Sequence, residues 1–256
     1  MPLNTIQLIQ KDQYTIVQLN RGKVNAINHE MVKELQEVFK TLVTDEATKG
    51  VILTGIPHFF SAGLDVVELY GYDKDQMTSF FTDFGGLHLQ LATFAKPLIC
   101  ALTGYSPAGG CVLAIAADYR IMAEGEKYTI GLNEVAVNIQ ISNNLIKAYA
   151  FWLGTSKANA YVLEGKLLHV DEALAGGLIN KVVPLEEVIP AAEKQMQHYL
   201  SADEVIFRNT KRKLRASWID TVEIDAAQDL KEAINLWWEP RIRTKMKAFI
   251  DHLQKK

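Results

Sequence analysis

The sequence predicts an α/β protein that ends in a helical region. Short apolar runs rich in β-branched residues, such as residues 51–55, have the length of buried strands and lead into glycine-containing loops. Residues 111–117 are all apolar, and a helix that is apolar on every side belongs inside a domain. Beyond Pro184 four segments have helical periodicity, and none has the pattern of a strand. We therefore expect an α/β core over residues 1–184 and a helical region over residues 185–256.

The core is expected to begin with a hairpin and a helix. Residues 6–9 and 14–19 have the composition of two strands joined by a short turn. A loop over residues 21–30 follows, and a helix is predicted over residues 31–43 with Asn28 as its N-cap.

A second helix is predicted between residues 72 and 94, where apolar residues recur at helical spacing. The double glycine at 85–86 is expected to interrupt it, because glycine in a helix costs about 1 kcal/mol relative to alanine. The aromatic stripe of this helix is expected in the core. The alternative is that Phe80, Phe81 and Phe84 form the wall of a pocket for an apolar tail.

The same criteria predict the remaining elements. Strands are expected at residues 98–104, 118–123 and 178–183, and helices at residues 143–153, 157–163, 171–175, 186–200, 202–216, 220–238 and 241–253. The apolar stripes of the last helices, which include Trp237 and the neighbouring Trp238, must be buried against the core or a second subunit. An oligomer is therefore expected.

Composition excludes several classes of protein. The 256 residues are 48% hydrophobic and 22% charged with a net charge of -3, which argues against disorder and against nucleic-acid binding. No run approaches the ~18 apolar residues of a membrane span, and the N-terminus lacks the pattern of a signal peptide. Cys100 and Cys111 lie in apolar runs, as free thiols do. We expect a soluble cytoplasmic protein that binds neither nucleic acid nor membrane.

Common catalytic templates are missing from the sequence. The six histidines are scattered without metal-ligand spacing, so no metal site is predicted. There is no phosphate-binding loop, no glycine motif for dinucleotides and no serine elbow of the G-x-S-x-G type. Nucleotide hydrolysis, nicotinamide chemistry and serine hydrolysis are therefore not expected.

A glycine-rich turn before the apolar helix is the first candidate site. Pro107 is expected in the first helical turn, and Ala108, Gly109 and Gly110 leave the N-terminal amides open to a ligand. The positive end of a helix suits a developing negative charge. The alternative is a plain turn ahead of a core helix.

Two further segments carry candidate chemistry. Glu134 stands among apolar residues, so burial is expected to raise its pKa towards the range of a general base, unless it is an ordinary surface glutamate. Arg21 and Lys23 lie in the loop before the first helix, where they are either ligand contacts or solvated charges.

Taken together, FFSAGLD (59–65), GYSPAGGC (104–111) and IGLNE (130–134) resemble the crotonase family of acyl-CoA hydratases and isomerases. The likeness covers nearly the whole chain, including VNAIN at 24–28 and the helical tail. It implies a crotonase-like spiral of stacked ββα units whose C-terminal helices form an oligomerisation region, giving a homotrimer or hexamer. It implies an acyl-CoA thioester as substrate and no further cofactor.

The resemblance also implies roles for single residues. The backbone N–H groups of Leu64 and Gly109 would form an oxyanion hole for the thioester oxygen, and Glu134 would be the catalytic base. Coenzyme A would run along the two loops that lead to this hole. The residues expected to contact it are Lys23, Ala26, Ser61, Ala62, Gly63 and Asp65.

One departure from the family pattern concerns the reaction. Hydratases of this family carry a glutamate three residues after the oxyanion glycine, where this chain has Val112. Hydration generally uses two carboxylates, whereas moving a double bond from C3 to C2 of an enoyl thioester needs one base that returns the proton it took. The resemblance is therefore greatest to Δ3,Δ2-enoyl-CoA isomerases. Enoyl-CoA hydratase, another acyl-CoA enzyme of the family and an inactive acyl-CoA-binding scaffold remain the alternatives.

Overall fold

The computed structural model of the protein describes residues 3–254, with the side chains of residues 222–225 left out. The strands are β1 (Ile6–Gln10), β2 (Tyr14–Leu19), β3 (Gly50–Thr54), β4 (His58–Phe59), β5 (Leu98–Leu102), β6 (Gly104–Pro107), β7 (Tyr119–Ala123), β8 (Thr129–Gly131), β9 (Leu168–His169) and β10 (Lys181–Val183). The helices of the core are α1 (His29–Thr44), α2 (Val66–Tyr70), α3 (Lys74–Ala92), α4 (Gly109–Ile115), α5 (Asn143–Leu153), α6 (Thr155–Glu164) and α7 (Val170–Gly176). The later helices are α8 (Val188–Leu200), α9 (Glu204–Ile219), α10 (Val222–Trp237) and α11 (Pro240–Leu253).

The strands form two sheets, and from β3 to β8 the chain alternates between a strand of the larger sheet and a strand of the smaller one. The larger sheet has the order β1-β2-β3-β5-β7-β10 and the smaller one has the order β4-β6-β8-β9. β3, β5 and β7 are each followed directly by a strand of the smaller sheet and then by one or more helices. β3, β5 and β7 pair in parallel with one another, and so do β4, β6 and β8. The predicted spiral of ββα units is therefore confirmed.

The hairpin and the first helix form as predicted. β1 and β2 pair antiparallel, and the side chain of Asn28 accepts a hydrogen bond of 3.0 Å from the amide of Met31 at the start of α1. Asn28 therefore caps this helix, satisfying one of the amides that have no partner within the first turn.

The predicted break in α3 is wrong. The helix runs from Lys74 to Ala92 without interruption at Gly85 or Gly86. Its apolar stripe, including the fully buried Leu87 and Leu91, packs into the main core, and this burial outweighs the roughly 2 kcal/mol that two glycines cost.

The position expected for Pro107 is also wrong. Pro107 is the last residue of β6, where it lies opposite Gly131 of β8. Ala108 follows with a φ of 45°, which is outside the helical region, and its amide donates to the carbonyl of Gly131 at 2.8 Å. Strand pairing therefore extends to residue 107, and α4 begins only at Gly109.

The helical region packs on the core of its own chain. α8 covers one face of the larger sheet, α10 contacts α3 and α5, and α11 contacts α2. Trp237 is 3% exposed, so its ring needs no second subunit to cover it. The oligomer and the division of the chain at residue 184 stay predictions, and residues 1–2 and 255–256 of the two predicted regions lie outside the described part.

Side chains from distant parts of the chain cap the C-terminal end of α4. The carbonyl of Ile115 accepts from the Trp152 indole at 2.8 Å, and that of Ala116 accepts from Arg215 at 2.7 Å. Arg215 and Arg120 both donate to the carbonyl of Ala117. Because a buried helix end needs partners for its last carbonyls, these side chains make the apolar helix compatible with burial.

Asp118 joins this cap to α9. Its carboxylate pairs with Lys211 and with Arg215 at 2.8 Å each, and it accepts the amide of Leu98 at 2.8 Å. Arg215 and Lys211 are both buried on α9. The ion pairs therefore fix α9 against the first turn after α4 and against β5.

We predict that Arg215→Met lowers the free energy of unfolding by about 3 kcal/mol or more, because it leaves Asp118 and the α4 carbonyls short of donors. Arg212→Met is the matched control, since Arg212 is exposed on the same helix, and it should change stability by less than about 0.5 kcal/mol. Urea unfolding measures both. Equal effects of the two substitutions would contradict the role given to the cap.

Candidate functional site

Two loops are held side by side at one edge of the core. The amide of Ala62 donates to the Val24 carbonyl, that of Ile27 to the Gly63 carbonyl, and that of Asp65 to the Ile27 carbonyl, at 2.8 to 2.9 Å. These bonds join the 21–28 loop to the segment between β4 and α2. The predicted contacts of coenzyme A therefore lie together along two paired stretches of backbone.

Buried polar side chains fix the shape of this pair. Asn25, which sequence reasoning did not single out, has a φ of 50° and donates from its amide to the Leu19 and Phe60 carbonyls. Ser61 is fully buried, donates to the Asn25 carbonyl at 2.7 Å and accepts from the amide of Gly63. The left-handed backbone conformation of Asn25 shows that this residue shapes the loop, and it is visible only in the structure.

The Leu64 and Gly109 amides meet where these loops touch the start of α4. A Cβ added to Gly109 would lie 3.3 Å from the Leu64 nitrogen, and one added to Gly63 would lie 3.4 Å from the Gly109 nitrogen. Neither amide has a hydrogen-bond acceptor among the atoms that the structure describes. Two unpaired donors thus lie next to each other, and their role as an oxyanion hole stays a prediction.

A cavity of about 400 Å³ adjoins Leu64. Its walls come from α3, α4, the 134–142 segment, α5 and α10, and most of them are apolar. The described lining residues are Leu64, Phe81, Thr82, Phe84, Gly85, Gly86, His88, Leu89, Val112, Glu134, Ile139, Gln140, Ile141, Ser142, Asn144, Leu145, Ala226, Ala227, Asp229, Leu230 and Ala233. Phe80 lies in the core, whereas Phe81 and Phe84 line the cavity, so both alternatives for the aromatic stripe hold in part.

Glu134 places a buried carboxylate in this wall. β8 pairs with β6 and ends at Gly131, which brings the following residues beside Ala108 and Gly109. Glu134 is 7% exposed, and its Oε2 has no hydrogen-bond partner in the described part of the chain. Burial raises the pKa of Glu134 to about 7, so the alternative of a solvated surface glutamate is wrong.

Val112 and His88 occupy the cavity wall on α4 and α3. Val112 is 1% exposed and supplies no ionisable group. His88 donates from Nδ1 to the Val112 carbonyl at 2.9 Å, and burial lowers the pKa of His88 to about 4, so the ring is neutral at physiological pH. Sequence reasoning missed His88, although a histidine within an apolar helical stripe was a readable signal.

The predicted contacts of coenzyme A lie outside the cavity wall. Lys23 and Ala62 are exposed, whereas Arg21 pairs with Asp65 and Glu68 at 2.8 and 2.9 Å. Asp65 also caps α2 by accepting from the amide of Glu68. Arg21 and Asp65 are therefore engaged with each other, and Lys23 is the exposed cation beside the paired loops.

Sequence reasoning also missed the outer walls of the cavity. Ile139 and Ile141 precede α5, and Leu230 and Ala233 come from α10, nearly a hundred residues further along the chain. Their apolar spacing indicated burial but not the surface they would face. Among the side chains that the structure describes, no cluster of three or more His, Cys, Asp or Glu is arranged to hold a metal ion. No described helix has the length and apolarity to cross a bilayer.

Comparison with known sequences agrees with this geometry. The profile of the enoyl-CoA hydratase/isomerase family matches residues 11–256. The mitochondrial enoyl-CoA delta isomerase 1 of Mus musculus is 31% identical over 242 residues, which cover 94% of this chain and 84% of that protein. A probable enoyl-CoA hydratase of Rhizobium meliloti is 28% identical over 247 residues, covering 91% of this chain and 95% of that protein.

Solved structures have the same fold. The crystal structure of human mitochondrial delta3-delta2-enoyl-CoA isomerase superimposes with a TM-score of 0.95 at 26% identity, covering 98% of this chain and 99% of that one. An enoyl-CoA hydratase/isomerase family protein from Pseudomonas syringae gives a TM-score of 0.83 at 27% identity, covering 90% and 98% of the two chains. The paired amides, the buried glutamate and the family profile therefore agree, and the chain belongs to the enoyl-CoA hydratase/isomerase family, the crotonase family of the sequence resemblance.

Proposed function

We propose that this protein is an enoyl-CoA isomerase that moves the double bond of a 3-enoyl-CoA thioester to the C2 position. The observation that carries the proposal is Glu134, the one buried carboxylate among the described side chains of an apolar cavity in which Val112 takes the place of a second acid. Asp229, the other carboxylate among the described lining residues, is half-buried and accepts the amide of Asn143 at 2.7 Å. Glu134 is therefore the group suited to take up a proton.

The proposed reaction is one proton transfer in two steps. Glu134 removes a proton from C2, and the electron pair moves through the thioester carbonyl to form a dienolate. The amides of Leu64 and Gly109 donate to the thioester oxygen, and each donor of such a hole contributes about 2.7–4 kcal/mol. Protonated Glu134 then gives the proton to C4 as the carbonyl re-forms, which leaves the double bond between C2 and C3.

The apolar wall supports this chemistry in two ways. It destabilises the charged form of Glu134, which raises the pKa of this carboxyl to about 7 and makes it a stronger base than a solvated glutamate. It also keeps water away from the dienolate and from the protonated acid between the two steps. No metal or redox cofactor enters the proposed reaction.

Coenzyme A is proposed to lie along the paired loops outside the cavity. Supporting this path, the backbone of Ala26, Ser61, Ala62 and Gly63 leads towards Leu64, and Lys23 adds an exposed positive charge there. Asp65 contributes to the path through its cap of α2 and its pair with Arg21, which hold the loop that carries Leu64.

Enoyl-CoA hydratase is the second candidate, because several relatives, including the Rhizobium meliloti protein, carry that name. Adding water to a 2-enoyl thioester requires one group to activate water and a group to manage the second proton. Val112 can do neither, and His88, neutral and bonded to the Val112 carbonyl, is held in place as a structural donor. These features favour isomerisation.

Assembly and location remain proposals. A homotrimer or hexamer is proposed on the family resemblance alone. The apolar stripes of α10 and α11 do not add support, because they pack largely on their own chain. A cytoplasmic location stays a prediction, and the names of the mouse and human relatives describe those proteins as mitochondrial.

We predict that Glu134→Gln lowers turnover of 3-enoyl-CoA at least about a hundredfold, because the amide keeps the shape of the carboxyl and cannot accept the C2 proton. Acyl-CoA binding, measured by calorimetry, should stay within about threefold of the native value, since a factor of three is below one kcal/mol. Glu126→Gln, at an exposed glutamate of the same segment, is the control and should leave turnover unchanged. Unchanged turnover in Glu134→Gln would mean that the base is elsewhere.

The pH profile gives a separate prediction. Since burial raises the pKa of Glu134 to about 7 and only the carboxylate is a base, kcat/KM should rise with pH up to about 7 and level off above it. Below that value it should fall about tenfold per pH unit. Initial rates with 3-enoyl-CoA measure the profile. A profile that is flat from about pH 5 to pH 8 would contradict a buried base with a raised pKa.

A further inference from the structure

Helix α3 contains two consecutive glycines that its own backbone does not require. Neither Gly85 nor Gly86 has a positive φ, and both lie inside a continuous helix. A Cβ added to Gly85 would meet nothing within 4 Å, and one added to Gly86 would meet only the Gln36 side chain at an ordinary 3.5 Å. Alanine would stabilise the helix at either position. Among the described residues, therefore, neither close packing nor conformation explains these glycines.

Gly85 lines the cavity beside Leu64. It follows Phe84 and precedes His88 by one helical turn, and all three line the same wall. Gly85 itself is exposed, so the cavity is open at this point of α3. α10, which contacts α3, contributes small side chains to the same cavity at Ala226 and Ala233.

The open space at Gly85 continues the volume that would hold an acyl chain. The reacting atoms of the substrate belong near Glu134 and Leu64, and the rest of an acyl chain has to follow the apolar walls away from them. Gly85 lines this cavity, and no described protein atom lies within 4 Å of a Cβ added there, so a side chain at position 85 would occupy open space beside the wall.

We infer that Gly85 is a specificity-determining residue, which by carrying no side chain keeps the α3 wall open for linear acyl chains that extend well beyond the reacting carbons. The inference rests on the proposed function, since it concerns the chain length of that substrate. It accounts for a residue that weakens the helix without relieving any strain.

The test compares Gly85→Leu with Ser79→Leu, which adds the same side chain to an exposed position of α3 outside the cavity wall. Calorimetry measures the binding of saturated hexanoyl-CoA and dodecanoyl-CoA to each, and initial rates are measured with the matching 3-enoyl thioesters. In Gly85→Leu the dodecanoyl thioester should lose about tenfold or more in affinity, and its 3-enoyl counterpart should lose as much in kcat/KM. The same two quantities for the six-carbon thioesters should change by less than about threefold. Ser79→Leu should leave the ratio of the two chains unchanged.

Gly85→Ala provides a smaller change that preserves the fold. It should raise Tm by about 2 °C through helix propensity while shifting preference towards the shorter chain in the same direction as leucine. An unchanged chain-length ratio in both Gly85 variants would overturn the inference, as would a change in molecular mass by light scattering, which would assign Gly85 to a subunit contact. Failure of the native protein to isomerise 3-enoyl-CoA would overturn the proposed function instead, because the binding ratio is measured without turnover.

Discussion

The short helix α4 is the constraint on which the rest of the structure depends. Its C-terminal carbonyl groups have hydrogen-bond donors, whereas its first amide has no acceptor among the described residues. At the C-terminal end, carbonyl groups are satisfied by side chains that come from α5, β7 and α9, with Trp152, Arg120 and Arg215 as donors. At the other end the Gly109 amide is left without an acceptor in the described residues. A fully apolar helix can thus be buried while one end keeps hydrogen-bonding capacity for a ligand.

The same arrangement explains how the cavity acquires its chemistry. Pairing of β6 with β8 ends beside α4, so the segment that follows β8 brings Glu134 to the wall that Leu64 and Val112 also form. Because this wall is apolar, the pKa of the Glu134 carboxyl is raised. On α4 the residue of the wall is Val112, which supplies no second acid. The topology of two strands and a helix therefore places two unpaired amides and a buried carboxyl of raised pKa at one cavity.

Local signals in the sequence predicted more of the structure than long-range ones. The Asn28 cap and the buried Glu134 depend on neighbouring residues, and both are confirmed. The uninterrupted helix at 85–86 could not be predicted, because packing partners far along the chain outweigh the propensity of glycine. Proline at position 107 fits a first helical turn by its local pattern, whereas its pairing with Gly131 depends on another strand and leaves no trace in the local sequence. The roles of the Leu64 and Gly109 amides came from the family resemblance, and they stay predictions.

The most direct test of a single-base reaction follows the proton itself. A 3-enoyl-CoA carrying two deuterium atoms at C2 is converted in ordinary water, and the product is examined by mass spectrometry and NMR. If Glu134 returns the proton it removed, a substantial fraction of the 2-enoyl product will retain one deuterium at C2 and carry the other at C4, and no 3-hydroxyacyl-CoA will form. Complete loss of the transferred deuterium to water, or accumulation of 3-hydroxyacyl-CoA as the main product, would contradict the account.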